Sequence, residues 1–203
     1  MEKSQKKPRE GGAVKAILLP ALALLLIAGV SSFLLAFVND VTAPIIAERE
    51  AAERAEAMAA VLPAAATFSE DKTVSLTVDG EDEEIVYYEG LDSTGALTGY
   101  VFTASGAGYG GDVSVMTGVD MDGVVTNIEI TGINETPGLG MRAQEESFLS
   151  QYIGKSGSLT VSKTAAGDEI QALTGATITS TAVTDAVNAA LAAWQTITGG
   201  TAA

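Results

Sequence analysis

The stretch richest in potential chemistry is Leu173-Thr174-Gly175-Ala176-Thr177-Ile178-Thr179-Ser180-Thr181. Five hydroxyls and a glycine stand directly ahead of an apolar periodicity. Val183, Val187, Ala190, Leu191 and Trp194 recur at three- and four-residue spacing, which predicts a helix over about Ser180–Thr196 with that stripe buried. Ser or Thr at a helix start caps free backbone N–H groups, and the same N–H groups and dipole favour a phosphate. Small residues let another molecule approach the backbone closely. On residue types alone two readings stand: a helix start capped without a ligand, or a phosphate site.

Two further segments have unusual backbone requirements. In Asn134-Glu135-Thr136-Pro137-Gly138-Leu139-Gly140, Pro followed by two Gly makes a constrained loop. Gly108-Tyr109-Gly110-Gly111-Asp112-Val113 is a glycine-rich turn. Asp120-Met121-Asp122-Gly123 opens like a calcium loop but lacks the later ligands of an EF-hand, and reads as a hairpin turn.

Composition narrows the chemistry. Cys and His are both absent from the 203 residues, which removes disulfides, His or thiolate ligation and thiolate catalysis from this chain. Any redox chemistry must come from an organic cofactor or from partner subunits. The net charge of −15 is unevenly spread. Lys3, Lys6, Lys7, Arg9 and Lys15 outnumber Glu2 and Glu10 before a long apolar run, and the remainder is strongly acidic. So acidic a domain repels nucleic acid and anionic headgroups, and neither is an expected partner.

The elements that must position these segments follow from patterning. Ala16–Val38 carries no charge and is rich in Leu, Ala, Ile and Phe. A helix of that length covers the roughly 30 Å hydrocarbon core of a bilayer. Pro20 falls in its first turns and Gly29 is tolerable there. A cleaved signal peptide is the rival reading, with Ala28-Gly29-Val30-Ser31 a passable cleavage site, but its apolar core would be shorter. The basic residues before the span place residues 1–15 in the cytoplasm and everything after about Asn39 outside it. Thr42 and Pro44 mark a second helix start, and an Ala/Glu/Arg-rich helix runs to about Leu62, with Pro63 as its stop. It has few large apolar residues, so it reads either as a spacer over 39–65 or as a docking surface. Candidate strands are Thr73–Val78, Glu84–Glu89, Leu97–Ala104, Val113–Val119 and Val124–Ile130, joined at Asp79-Gly80, Asp92-Ser93-Thr94-Gly95 and Asp122-Gly123. A helix over about Arg142–Ile153 and a strand near Ser158–Lys163 follow, and Gly199–Ala203 frays.

Thr174-Gly175-Ala176-Thr177 followed by Ile178-Thr179-Ser180 resembles the flavinylation motif of FMN-binding domains, the family found in RnfG and NqrC. Glu135-Thr136-Pro137-Gly138-Leu139-Gly140 is similar to the loop beside the flavin in that family, and Gly108–Val113 to its glycine-rich turn. The resemblance implies an α+β protein: one N-terminal transmembrane helix, then an extracytoplasmic antiparallel-sheet domain with packed helices over 66–198. It implies FMN joined to Thr177 by a phosphoester, with Thr179 next in line as acceptor. It implies cofactor contacts from Glu135, Thr136, Leu139, Gly175, Ala176, Thr179 and Ser180. A separate flavin transferase using FAD would make the bond. The implied role is an electron-carrying subunit of an Rnf complex in the bacterial inner membrane, coupling ferredoxin:NAD electron transfer to Na+ or H+ movement beside other Rnf subunits. The alternatives are NqrC-type service in a Na+-pumping quinone reductase, a stand-alone anchored flavoprotein, and a non-redox binding or scaffold domain. Two positions depart from the family pattern: Gln171 stands where it has Asp, and Asn134 where many relatives place His. Acidic surroundings would disfavour the anionic reduced flavin and lower its potential.

Overall fold

A computed structural model describes residues 10–78, 81–164, 166–167 and 169–200, and divides the chain into two compact units, Met1–Ala52 and Glu53–Ala203. Residues 1–9 of the expected cytoplasmic tail, the Asp79-Gly80 turn and residues 201–203 lie outside the described residues.

The first unit holds most of helix α1 (Glu10–Val61). Its apolar side chains face outward: Ile17, Leu19, Leu25 and Leu35 are each 73% exposed. By length and composition this helix can cross a membrane, with mean hydropathy 2.6 in its most apolar window. The separate start expected at Thr42 and Pro44 is not seen, and α1 runs through both Pro20 and Pro44. Proline removes one helical N–H. Just ahead of Pro44, Thr42 Oγ1 donates to Val38 O (2.9 Å), which occupies a carbonyl in the same stretch.

The second unit is built on an antiparallel sheet. Its strands are β1 (Thr67–Phe68), β2 (Lys72–Val78), β3 (Glu81–Leu91), β4 (Leu97–Ala107), β5 (Asp112–Asp120) and β6 (Val125–Gly132). The order is β1-β3-β4-β5-β6, with β2 also paired to β3. All five expected strands are present, and the short β1 is additional. The hairpin turns work by side-chain capture. Asp92 Oδ1 accepts from Thr94 N (2.7 Å), Thr94 Oγ1 (2.7 Å) and Ala96 N (2.9 Å), bonds that hold its carboxyl below the usual range. Asp120 Oδ1 accepts from Asp122 N and Val124 N, and Gly123 supplies the positive φ (80°).

Alternation along the strands gives the sheet two apolar faces. Tyr100, Phe102 and Ala104 of β4 join Val113, Val115 and Val119 of β5 in the main core under the C-terminal helix α3 (Thr177–Thr198). Val101 and Met116 point the other way, onto Ala57, Val61 and Leu62. The end of α1 is therefore a packing element of this unit, which corrects the reading of residues 39–65 as a spacer throughout. Gly118 permits the contact, since a Cβ there would overlap the Val61 carbonyl. The stripe of α3 is buried as its spacing predicts; Val183, Val187, Leu191 and Trp194 are at most 4% exposed, each worth roughly 1.5–3 kcal/mol on burial. Gly106 lets the helix sit against β4, because any Cβ would meet the Ala182 backbone.

Three expectations are corrected. The helix over Arg142–Ile153 is broken into a 3₁₀ turn (Gly140–Gln144), a short α2 (Glu146–Leu149) and a second 3₁₀ turn (Ser150–Tyr152). Glu145 is extended at the first junction (ψ 136°), and the pieces bury Ala143, Phe148 and Tyr152 one at a time. The strand at Ser158–Lys163 shrinks to β7 (Val161–Ser162), paired in parallel with β8 (Ile170–Gln171). Finally, α3 begins at Thr177 rather than Ser180.

Candidate functional site

The loop after β6, the glycine turn between β4 and β5, and the start of α3 converge on one cavity of about 710 Å³. That volume suits a cofactor of flavin size.

Thr177 is the first residue of α3 and is half-buried at the cavity. The residue before it, Ala176, has a non-helical backbone (φ −136°, ψ 45°), and no side chain caps the helix. Among the described residues the first helical N–H with a backbone acceptor is that of Ser180, on Ala176 O at 3.0 Å. The earlier N–H groups are open to an anion in the cavity. The reading of a hydroxyl-capped helix start is thus corrected.

Ser180 does not line the cavity. Fully buried, it donates from Oγ to Ala176 O (2.9 Å) and accepts there from Leu173 N (3.0 Å), clamping the Leu173–Ala176 loop to the helix. Thr184 Oγ1 donates in turn to Ser180 O (2.9 Å). With that proton committed, Tyr152 Oη is the donor in its 2.8 Å bond to Thr184 Oγ1. Burial pushes the Tyr152 hydroxyl well above the ordinary tyrosine range.

Glu135 is 8% exposed and acts as a strut. Its Oε1 accepts from Tyr109 N (2.7 Å) and Gly110 N (3.3 Å), fixing the glycine turn against the loop. Glycine on both sides makes room. A Cβ on Gly108 would lie 2.5 Å from Glu135 Oε1, and one on Gly140 would lie 2.7 Å from Glu135 Cβ and 2.8 Å from Thr179 Oγ1. Thr179 lines the cavity from below and is only 1% exposed, so it is far less accessible than Thr174, which is exposed on the lining.

Thr136 is exposed at the lining, and its carbonyl accepts from Leu139 N (3.1 Å) and Met141 N (3.3 Å), which shapes the Pro137-Gly138 turn. Leu139 is 45% exposed and leans on Gly175: a Cβ there would stand 3.1 Å from Leu139 Cδ2, and φ at Gly175 is +82°. The two sequence segments thus meet through Leu139 and Gly175. Ala176 lines the cavity from the helix side.

Several lining residues are not among the contacts expected from the sequence, Tyr109, Ile178 and Lys163 among them. Tyr109 is 75% exposed and Ile178 54%. Each sits inside a stretch singled out for its small residues, and a large apolar side chain there is the signal to have followed. Lys163 is brought in by the β7–β8 pairing, for which the sequence offers no local sign.

Comparison with known proteins places this geometry. Residues 6–61 match the RnfG N-terminal region and residues 108–192 the FMN-binding domain. The chain is 40% identical to the G component of the Na(+)-translocating ferredoxin:NAD(+) oxidoreductase complex of Acetobacterium woodii, covering 87% of this chain and 90% of that one. The chain belongs to the RnfG family. Other members are 34% identical (the G component of the proton-translocating ferredoxin:NAD(+) oxidoreductase complex of Clostridium ljungdahlii, 84% of this chain and 88% of that) and 33% identical (the G component of an ion-translocating oxidoreductase complex of Methanosarcina acetivorans, 83% and 89%). The fold resembles NqrC of Shewanella oneidensis, with TM-score 0.53, 18% identity and 62% of this chain against 70% of that one. It also resembles the C component of the Na(+)-translocating NADH-quinone reductase of Parabacteroides distasonis, with TM-score 0.50, 22% identity and coverage of 63% and 76%. As an RnfG family member the chain is a redox subunit of an ion-translocating oxidoreductase complex, with an FMN-binding domain. The residues present fit FMN: free helix N–H groups for a phosphate, the apolar surfaces of Leu139, Tyr109 and Ile178 for a ring, and space for both.

Proposed function

We propose that Thr177 carries FMN through a phosphoester, and that the chain relays electrons within a membrane-bound Rnf complex coupling ferredoxin:NAD electron transfer to Na+ or H+ movement. The observation that carries the attachment is the position of Thr177. It is the first residue of α3, at the cavity, with uncapped N–H groups beside it, while Thr179 and Ser180 next to it are buried. FMN, when bound, supplies the one- and two-electron chemistry. The chain's residues attach, orient and shield it. Attachment uses a separate flavin transferase and FAD: Thr177 Oγ1 forms the new bond to phosphorus, the pyrophosphate bond of FAD breaks, and AMP leaves with the hydroxyl proton. The free N–H groups at the start of α3 stabilise the phosphate charge. Leu139 and Ile178 offer apolar surface, and Thr136 holds the turn that presents Leu139. A covalent tether keeps the cofactor at high local concentration in a compartment where it would otherwise be lost.

The apolar helix of the first unit and the basic residues before it favour a membrane anchor with a cytoplasmic N-terminus and the FMN-binding domain outside. Ferredoxin:NAD coupling is favoured over quinone reductase service by the higher identity and coverage of the Rnf relatives.

The test is in-gel fluorescence under ultraviolet light of the full chain co-expressed with a flavin transferase, denatured, beside Thr177→Ala. The unmutated chain glows and Thr177→Ala is dark. A dark unmutated chain ends the covalent reading, and persistent fluorescence in Thr177→Ala moves the attachment to Thr174.

A further inference from the structure

We infer that Lys163 is the cationic contact that tunes the potential of the flavin, and that Gln171 is the residue positioning it; this rests on FMN occupying the cavity at Thr177. Among the described residues lining the cavity Lys163 is the one cation. Neither of the ion pairs Lys72–Glu89 and Arg142–Glu145 involves Lys163. In a chain of net charge −15 a cation at the cofactor site runs against the composition. The other fixed charge of the lining, Glu135, is buried with Oε1 turned to the backbone N–H groups of Tyr109 and Gly110.

The support under Lys163 is specific. Gln171 Nε2 donates to Lys163 O at 2.7 Å. Gln171 is itself held by Gln151, which accepts from Gln171 N at 2.7 Å and donates to Gln171 O at 3.4 Å. The two-residue ladder of β7 and β8 ends at Ser162, and Ala172 N extends it onto Ser162 O (2.8 Å). So short a parallel pair contributes little to stability by itself. Its effect on the site is to set the Lys163 main chain beside Ala172 and Leu173, on the cavity wall that leads into Thr177. A neutral carboxamide suits position 171. It has the N–H donor that a carbonyl requires, and unlike a carboxylate it adds no negative charge to this wall of the cavity.

The phosphodiester is already served by the open N–H groups of α3, so the remaining place for an anion is the ring. Two-electron reduction with uptake of one proton leaves the ring one negative charge, which a nearby ammonium favours. Lys163 thereby opposes the downward pull of the acidic domain. Because the side chain is exposed, the effect is modest and salt-sensitive.

The experiment titrates the full flavin-loaded chain in detergent with a chemical reductant at low and high salt, with loading checked by in-gel fluorescence. Lys163→Gln shifts the equilibrium three- to tenfold toward oxidised flavin, a potential about 15–30 mV lower for a two-electron couple. Lys163→Arg restores most of it, Gln171→Glu moves it in the same direction as Lys163→Gln, and high salt shrinks every difference. Normal fluorescence with an unchanged potential in Lys163→Gln overturns the inference, as does a salt-independent shift or an Arg variant that behaves like Gln. If the unmutated chain is dark on the gel, attachment at Thr177 has failed instead. Lys163 is then tested with free FMN in Thr177→Ala, where loss of the ammonium weakens reduced FMN more than oxidised FMN. Equal weakening of both, absent with riboflavin, assigns Lys163 to the phosphate and overturns the ring contact.

Discussion

Beneath the cavity, Thr179, Ser180 and Glu135 are 1%, 0% and 8% exposed, and Ser180 and Glu135 hold the loops around them by hydrogen bonds. Around its mouth, Tyr109, Ile178 and Leu139 are 75%, 54% and 45% exposed. The floor is over-determined by contacts that tolerate no added atom, while the rim spends apolar side chains on solvent. Large exposed apolar groups around one concavity mark a surface meant to be covered. On the proposed attachment this is a division of labour: the floor would fix where the cofactor is attached, and the rim would determine how its ring is held.

Substitutions in the two regions should separate stability from flavin properties. The largest effect is expected at Gly140→Ala, whose new Cβ meets Glu135 Cβ at 2.7 Å and Thr179 Oγ1 at 2.8 Å. Overpacking of this kind costs about 1–3 kcal/mol, read as a lower midpoint in chemical denaturation. Ser180→Ala follows. It leaves Leu173 N without its acceptor at a cost of about 1–2 kcal/mol, and flavin loading drops because the Leu173–Ala176 loop is no longer clamped. A floor variant that kept full stability would dissolve the distinction.

The hydroxyl ladder beneath the floor predicts a pH dependence. Burial raises the folded-state pKa of Tyr152 above its unfolded value of about 10. Its contribution is therefore complete below pH about 10 and is lost as pH rises through the folded pKa. Stability should fall on the alkaline side, and Tyr152→Phe should flatten that limb at a cost of about 1 kcal/mol at neutral pH. Tyr100, also raised by burial, keeps the limb from vanishing. Ionisation of the phenols followed by ultraviolet absorbance, alongside unfolding, checks the assignment. The smallest stability effect belongs to Ile178→Ser, within about 0.5 kcal/mol of the unmutated chain. Its flavin absorption spectrum should nevertheless shift, and a stability loss of several kcal/mol would show that the rim is structural after all.

The legible parts of the molecule are those whose signal is local. Val, Thr and Tyr alternation marks β2 to β6, and Asp-Gly turns mark their connections. The stripe of Val183, Val187, Leu191 and Trp194 marks α3. Its true start is hidden because hydroxyls at 179–181 look like caps, whereas Ser180 turns inward to bond Ala176 O and Leu173 N. Arg142–Ile153 looks helical, but burying Phe148 and Tyr152 against the core outweighs continuous helix. The site's two glycine-bearing segments are recognisable from residues 134–140 and 173–180. Lys163 is not, because a parallel pairing between residues 161–162 and 170–171 leaves no periodicity to read. The role of Glu135 is obscured for a similar reason: a carboxylate beside glycines suggests a ligand contact, and only the fold reveals that it accepts from the Tyr109 and Gly110 backbone.

Burial of the floor has a consequence for any enzyme that must choose one hydroxyl among neighbours of nearly equal chemistry. Of the five between Thr174 and Thr181, Thr179 and Ser180 are sequestered, and Thr181, although exposed, is not among the residues lining the cavity. If, as proposed, a transferase labels this chain, it meets two exposed candidates in that stretch, Thr174 and Thr177, and Thr177 alone begins a helix. Selectivity would then be written largely by the acceptor, which hides its wrong addresses, and the transferase would need little discrimination of its own. A partly unfolded chain would lose that concealment, so correct labelling should require folding first.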